Sequence, residues 1–319
     1  MKEPDDNLNV NRENLSTMDQ IKRDLSNFPK KITQAFESAH GELKGRLSEE
    51  SILEWANIGQ EISLLTVRSW EAAQEFFDAS PSVQRQLPSG QFLRWGRTGH
   101  SLCKQSPSLA VSFFKASPSA MLRLRPRYID DWANISGNLY RGTWKSSALA
   151  AKLFEVTPRL LETISFDEFC KFGEFLELLS RRSYDIAGEC LDDSINLFRN
   201  LGKDTDQFIS LATVVAKQKW RDTKNLFEIA SATLGSLPSS QRSRLLSLTT
   251  RLIGAESSGA AEIIKDGVFT VTRTSNDSRD QLLDLTEKLS EIHSMAAIDF
   301  LKHAPSVLER VTFNQLIEW

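Results

Sequence analysis

Cysteine and histidine are scarce in this 319-residue chain, which limits the redox and metal chemistry that it can carry. The cysteines are odd in number and scattered, and no two stand at the short spacing of a zinc site. They are Cys103, Cys170 and Cys190. The histidines, His40, His100, His293 and His303, are widely separated and form no ligand-like cluster. We therefore expect buried thiols in a reducing compartment, no bound metal and no cofactor.

Long apolar runs and an excess of charge of one sign are also missing. No segment approaches the roughly 18 apolar residues of a membrane span, and the polar N-terminus lacks the apolar segment of a secretory signal. The net charge is only −3, with both signs interspersed, whereas a nucleic-acid-binding domain usually carries a basic face. The sequence thus predicts a cytoplasmic protein with no membrane and no nucleic-acid partner.

Catalytic signatures are a third absence. The chain has no glycine-rich phosphate loop, no G-x-S-x-G elbow and no H-E-x-x-H motif. The acidic pairs Asp130–Asp131 and Asp192–Asp193 are predicted to be helix-start charges. A basic cluster is predicted to be solvated, with an acidic partner surface as the alternative; its members are Arg123, Arg125, Arg127, Arg141 and Lys145. No catalytic, cofactor-binding or metal-binding residue is predicted, and no small-molecule substrate is expected.

What the chain does contain is a repeat with a period of 37 to 40 residues. The clear copies are Ile52–Pro81, Phe92–Pro118 and Ile129–Pro158. Each opens with Trp, followed four residues later by a small residue and three further on by an apolar one, which places all three on one helical face. These triplets are Trp55, Gly59, Ile62; Trp95, Gly99, Leu102; and Trp132, Ser136, Leu139. The spacing predicts a first helix whose small residue allows a neighbouring helix to approach closely.

A second apolar set follows in each copy and predicts a second helix. Its members are Ala73, Phe76, Phe77; Ala110, Phe113, Phe114; and Ala151, Leu153, Phe154. Each copy closes on a hydroxyl residue and proline: Ser80-Pro81, Ser117-Pro118 and Thr157-Pro158. Because this pair is typical of an N-cap with proline at the first helical position, a short third helix is predicted, as over Pro118–Leu124.

Helical units of this period must stack to bury their apolar faces. The predicted fold is therefore all-α: a right-handed α-solenoid of about seven repeats of 35–40 residues, similar to tetratricopeptide or HEAT arrays. Ser48 is predicted to cap the first clear repeat, and a Ser165–Glu168 capping box starts the fourth, with Phe172 at the tryptophan position. The later copies are Lys203–Leu237, Pro238–Val271 and Asp277–Val311. Within them, Val268–Thr274 is interpreted as a helix end and loop.

The ends of the chain depart from the repeat. Residues 1–46 are predicted to be a disordered start, to about Ser16, followed by a capping helix, with a partner-binding arm as the alternative. Residues 47–311 form the repeats. Residues 312–319 begin with the capping pair Thr312 and Gln315 and end in "LIEW", which matches "ILEW" at Trp55. This segment is expected to start a truncated further repeat, with a degenerate capping helix as the alternative.

Two family resemblances follow from these segments. The series Trp55, Ile58, Gly59, Ile62, with Ala73 and Phe77, is similar to the tetratricopeptide pattern, although its period is longer and it lacks the regular Tyr. The segments "FFDASP", "FLRWGRTGHSL", "LAVSFFKASP" and "LIEW" more closely resemble the helical-repeat region N-terminal to the von Willebrand A domain of bacterial CoxE-type proteins. That family is associated with MoxR-type AAA+ ATPases and assists the assembly or activation of protein complexes. The resemblance covers the repeat region alone, and no residue of the metal site in that family's von Willebrand domain is carried over to this sequence.

These resemblances imply a non-catalytic protein–protein interaction scaffold, the partner-recruiting arm of a von Willebrand A/AAA+ chaperone-like system. Its partner would be the AAA+ ATPase or a client of that ATPase. The alternative is a free-standing tetratricopeptide-like module that binds extended peptides, which requires Asn, Lys or Arg at fixed repeat positions; no such recurrence is evident from the repeats. An enzyme with a cryptic active site is a third hypothesis, and it requires a pocket lined by convergent titratable groups.

Overall fold

The computed structural model describes residues 10–142, 146–253, 259–308 and 315. This part of the chain is α-helical, with short 3-10 turns, one isolated bridge between Lys44 and Leu47, and no strand. The prediction of an all-α protein is therefore confirmed. Contacts divide the chain into two compact units, Met1–Leu161 and Glu162–Trp319.

Each unit is built from consecutive helix pairs. The first unit contains α1 (Val10–Leu25), α2 (Lys30–Leu43), α3 (Glu49–Leu65), α4 (Trp70–Gln84), α5 (Ser89–Gln105), α6 (Pro107–Ala120), α7 (Ile129–Gly142) and α8 (Ser146–Leu160). The second contains α9 (Phe166–Ser180), α10 (Tyr184–Leu201), α11 (Thr205–Lys219), α12 (Thr223–Thr233), α13 (Ser239–Leu252), α14 (Ala260–Arg273), α15 (Asn276–Ile292) and α16 (Ser294–Leu308). Within each unit, odd-numbered helices pack on odd and even on even, so each unit has two helical layers.

The predicted helix starts agree with the structure. Ser48 Oγ accepts a hydrogen bond from the backbone N–H of Ser51 at the start of α3 (3.2 Å). Ser165 and Glu168 form both bonds of a capping box at the start of α9. These side chains satisfy N–H groups that the first helical turn leaves unpaired.

The hydroxyl residue before each repeat proline is not an N-cap, so the predicted short third helix is wrong. The prolines lie inside the last turns of α4, α6 and α8, and Pro118–Leu124 holds only the end of α6 and a turn. Each hydroxyl is instead buried and accepts the indole N–H of the repeat tryptophan. The donor–acceptor pairs are Trp55 Nε1 and Ser80 Oγ (2.8 Å), Trp95 Nε1 and Ser117 Oγ (2.8 Å), and Trp132 Nε1 and Thr157 Oγ1 (3.1 Å). A buried indole N–H requires such a partner, and this need was not apparent from the local Ser-Pro pattern.

The small residue of the first helix has the predicted role. A methyl group at Gly59 would overlap the ring of Phe77, and one at Gly99 would overlap the ring of Phe114. Glycine therefore permits the phenylalanine of the second helix to pack directly on the first helix. In the third copy Ser136 takes this position and is fully buried.

Aromatic rings connect successive helix pairs in the first unit. Phe76 stacks on Trp95 of the next pair, with 5.4 Å between ring centroids, and Phe113 lies 4.9 Å from Trp132. Phe36 of α2 stacks on Trp55 in the same way, at 5.6 Å. The N-terminal helices thus pack on the first clear repeat as the repeats pack on each other.

Three predicted positions need correction. In α8 the buried alanine is Ala150, whereas Ala151 is only half-buried, because Ala150 keeps the three-residue spacing to Leu153. In the seventh copy the apolar spacing places Ala296 on the packed face, but Ala296 is exposed and Ala297 is buried, again a shift of one residue. Helix α14 continues to Arg273, so Val268–Arg273 is helical and not a loop.

Some predictions fall outside the described residues. They concern Met1–Asn9, Lys145, and the C-terminal segment 312–319 apart from Gln315. Within the predicted disordered start, helix α1 already begins at Val10.

Candidate protein-interaction surface

The histidines lie apart, and two of them have lowered pKa values. Burial lowers the pKa of His40, which stacks on Phe36. Burial also lowers the pKa of His100, whose Nδ1 lies 3.3 Å from Glu61 Oε2. His293 Nδ1 accepts the backbone N–H of Ala296 at the start of α16 (3.3 Å). Among the described residues there is no group of three or more His, Cys, Asp or Glu side chains placed to hold a metal ion.

Two of the cysteines are buried thiols. Burial raises the pKa of Cys103 to about 11 and also raises the pKa of Cys190. Because the thiolate is the reactive form, these side chains are poor nucleophiles at neutral pH. Cys103, Cys170 and Cys190 are all free of disulfide bonds.

The two acidic pairs differ in position. Asp130 and Asp131 lie in the first turn of α7, as predicted. Burial opposes ionisation of Asp130, but hydrogen bonds from Thr98 and Arg94 keep its pKa below the usual value. Asp192 and Asp193 lie in the middle of α10, so their assignment to a helix start is wrong. Helix α10 begins at Tyr184, directly after its N-cap Ser183, so this acidic pair lies well inside the helix.

The predicted basic cluster is only partly brought together. Arg123, Arg125 and Arg127 are exposed in the connection between α6 and α7, and the Arg127 guanidinium lies over the Tyr128 ring at 4.6 Å. Arg141 lies at the opposite end of α7, roughly 20 Å away at 1.5 Å per residue. It therefore does not extend the cluster.

Two shallow grooves lie between successive helices of one layer. A groove of about 260 Å³ lies between α14 and α16 and is lined by Glu262, Ile263, Lys265, Asp266, Ile298, Leu301 and Lys302. Burial raises the pKa of Asp266 there. A more polar groove of about 350 Å³ lies between α5 and α7 and is lined by Arg94, Arg97, Thr98, Ser101, Asp130 and Asn134. In this second groove Arg94 and Asp130 are paired with each other, which leaves no free acid–base couple.

Exposed ion pairs join neighbouring helices of the same layer. In the odd layer of the first unit, Arg97 pairs with Glu54 and Arg94 with Asp130. The odd layer of the second unit has Arg244 bound to Glu287 (3.0 Å) and Asp284 (2.5 Å). Exposed pairs contribute little stability singly. Each of these pairs links one helix to the next helix of the same layer.

One buried ion pair closes a helix end in the second unit. Arg242 Nε donates to Asp204 Oδ2 (2.6 Å), and its other nitrogens donate to the carbonyls of Leu201 (2.9 Å) and Asn200 (3.0 Å). Gly202, with φ of +55°, ends α10 directly after these carbonyls. Arg242 thus satisfies carbonyls that the last turn of α10 leaves unpaired. We therefore assign the ion pair of Arg242 and Asp204 a structural role.

The first unit also exposes apolar side chains at the connections between its first and second helices. Leu64 and Val67 are 63% and 70% exposed, and Phe28 and Trp70 are half-buried with their rings 6.1 Å apart, edge to face. We call these four residues the apolar edge. Single exposed apolar residues are common, but a contiguous group marks an interaction surface.

One polar contact positions α1 on α3 near the apolar edge. Gln60 Nε2 of α3 donates to Asp24 Oδ2 of α1 (2.8 Å). This contact places the last turn of α1 beside α3, one helical turn before Leu64. Phe28 lies in the turn that follows α1, and its ring contacts Trp70 at the start of α4.

Uncompensated positive charge surrounds the apolar edge. The exposed cations are Lys30, Lys31, Arg68 and Lys104. None of the four forms an ion pair within the described part of the chain. Among the anions of α1, α3 and α4, Glu71 pairs with Lys115, whereas Asp24 contacts Gln60 and Glu61 contacts His100. This edge is thus both apolar and cationic.

Comparison with models of protein families, with curated proteins and with solved structures returns no match to this chain. The resemblances drawn from the sequence therefore stay predictions. No helix among the described residues combines the length and apolarity needed to cross a membrane.

The repeat signature did not reveal the apolar edge. The tryptophans that define the repeat, Trp55, Trp95 and Trp132, lie in the core, so their spacing does not indicate which apolar residues are exposed. Trp70 was available as a signal, because it follows "VRS" outside the repeat pattern. Its exposure, however, depends on how α2 and α4 pack, which the sequence does not show.

Proposed function

We propose that this chain is a non-catalytic protein–protein interaction scaffold, whose helix pairs stack as a right-handed α-solenoid of about seven repeats. The observation that carries this proposal is the apolar, cationic edge on a framework of layered helix pairs. Stacked helical repeats produce long surfaces that suit protein partners. In the groove between α5 and α7 the charged side chains are held in ion pairs, which gives the alternative of a cryptic enzyme little support there.

The proposed partner is a MoxR-type AAA+ ATPase or a client of that ATPase, with a von Willebrand A protein in the same system. Support comes from the segments that resemble CoxE-type proteins. "FFDASP" and "LAVSFFKASP" form the second helices α4 and α6, and "FLRWGRTGHSL" forms most of α5. Three of the four segments that carry the resemblance thus belong to consecutive helices of the first unit.

This proposal is tested by measuring binding of the purified chain to a MoxR-type ATPase from the same source. Biolayer interferometry in the presence of ATP or ADP should detect a saturable complex, and addition of the von Willebrand A protein should strengthen it. Absence of binding in both nucleotide states, with and without that protein, would reject the AAA+ partner.

A second candidate is a receptor for extended peptides, and one observation favours it. Asn57, Arg97 and Asn134 each lie two residues after the repeat tryptophan, a recurrence that the sequence interpretation overlooked. Arg97 and Asn134 line the polar groove between α5 and α7. Side-chain amides at such positions can hydrogen-bond a peptide backbone. Loss of peptide-array binding in Asn134→Ala, with no change in the thermal melt, would support this candidate.

A further inference from the structure

We propose that the apolar edge docks an acidic amphipathic helix of a partner protein. This inference rests on the proposed function, because it names the surface and the kind of segment through which the scaffold would hold a partner. The argument draws on the exposure of the edge, its charge and the type of backbone around it.

The exposure of the apolar edge differs from that of an isolated surface residue. Val67 is 70% exposed and Leu64 is 63% exposed. Both lie in the segment that leads into Trp70, whose ring packs edge to face on Phe28. Leu122 is equally exposed, at 73%, but its apolar chain neighbours are buried. Contact with water is costly for a contiguous apolar group, so the edge favours a partner that covers it.

Charge selects the chemistry of that partner. Lys30 and Lys31 follow Phe28 after one proline, and Arg68 stands between Val67 and Trp70. On the other side, the contact between His100 and Glu61 places Lys104 one turn further along α5, beside the end of α3. Since none of these cations forms an ion pair within the described residues, they are available to carboxylates of a second molecule. Complementary charge of this kind steers association and selects the partner.

The backbone around the edge determines the form of the docking segment. A strand would need the unpaired edge of a sheet, and the described residues contain no strand. An amphipathic helix instead presents apolar side chains at positions i, i+3, i+4 and i+7 to an apolar surface. Its flanking Asp and Glu side chains would then face the four cations.

The test uses a synthetic helical peptide of about 18 residues, with leucines at that spacing and glutamates on the flanks. Fluorescence anisotropy should show saturable binding that weakens as salt is added, since salt screens exposed charges. Val67→Glu should weaken binding by about tenfold or more, as truncation of a central apolar anchor does. Leu122→Glu is the matched control, because it adds the same charge at an equally exposed apolar site, and it should leave binding unchanged.

Several results would overturn the inference. They are absence of peptide binding, equal binding of a peptide with lysines in place of the glutamates, and equal loss of binding in Val67→Glu and Leu122→Glu. Binding to phosphatidylserine vesicles that needs Val67, without peptide binding, would assign the edge to a membrane surface. A dimer in light scattering that Val67→Glu abolishes, without peptide binding, would assign it to a second copy of the chain.

The inference and the proposed function can fail separately. If the ATPase binds equally well to wild type and to Val67→Glu, the docking edge is wrong and the scaffold proposal stands. Peptide binding without ATPase binding would reject the AAA+ partner and retain the docking edge. Circular dichroism of both variants confirms folding, which is expected because Val67 and Leu122 are exposed.

Discussion

The bond between Trp95 and Ser117 provides a sharp test of how the repeats are held together. Ser117 is fully buried in α6, where its hydroxyl accepts the indole N–H at 2.8 Å and donates to the carbonyl of Phe113 at 2.6 Å. In Ser117→Ala the indole N–H remains buried without a partner, which costs about 1–3 kcal/mol. Alanine recovers a few tenths of a kcal/mol, roughly, through its higher helix propensity. We expect a net loss of about 1–2 kcal/mol in the free energy of unfolding.

Ser112→Ala is the matched control for this measurement. Ser112 lies in the same helix and is 7% exposed, but its side chain makes no hydrogen bond among the described residues. Its replacement should change the free energy of unfolding by no more than about 0.5 kcal/mol. Urea unfolding followed by tryptophan fluorescence and far-ultraviolet circular dichroism measures both variants. Agreement of the two probes checks the two-state assumption, which stacked repeats can violate.

Two further substitutions separate the observed bond from an N-cap. Ser117→Thr should be close to wild type, because Thr157 holds the equivalent position in the third copy. Ser117→Asp would be tolerated at an N-cap, but here it places a charge in a buried site and should destabilise strongly. Equal midpoints for Ser117→Ala and Ser112→Ala, or a stable Ser117→Asp, would refute the assigned role of this hydroxyl.

Four other substitutions probe the packing and the buried ion pair. Trp95→Ala removes a fully buried indole and should cost about 3–5 kcal/mol, which a urea titration measures; an unchanged midpoint would exclude a packed Trp95. Gly99→Ala forces a methyl group into a phenylalanine ring and should lower the melting temperature, with an expected cost of about 1–3 kcal/mol. Gly188→Ala adds a methyl group that meets no atom within 4 Å. It should raise the melting temperature, because alanine favours the helix by up to about 1 kcal/mol. A higher melting temperature for Gly99→Ala than for Gly188→Ala would contradict the packing. Arg242→Ala strands the carboxylate of Asp204 and should destabilise by about 3–5 kcal/mol in urea; a neutral result would mean that water replaces the guanidinium.

Much of the fold was predictable because periodicity and capping are local properties. The spacing of Trp55, Gly59 and Ile62 identified one buried helical face, and the pair Ser165 and Glu168 identified a helix start. Both features act within one or two turns of a helix. They therefore do not depend on contacts with distant parts of the chain.

The errors arose where a residue's role depends on a distant partner. Ser117 and its following proline have the local appearance of an N-cap, and only the indole of Trp95, 22 residues earlier, reveals the buried role. Arg141 has the composition expected of a basic cluster, but the length of α7 separates it from Arg127. A pattern of neighbouring residues does not show which distant residues are brought into contact or kept apart.

The candidate surface was even less accessible to sequence reasoning. Val67 and Trp70 are ordinary apolar residues in the chain, and their exposure follows from how α1 to α4 pack. The charge around them was visible as composition but not as an unpaired group, since pairing depends on which carboxylates come within reach.

By itself the sequence determined an all-helical chain, the faces that its helices bury and the small residues that allow close approach. These properties follow from helical geometry and from the removal of apolar surface from water. Only the tertiary structure decided which hydroxyl receives each indole N–H, which charges are paired and which apolar side chains stay exposed. Those outcomes depend on contacts between residues far apart in the chain, and short-range patterns do not encode them.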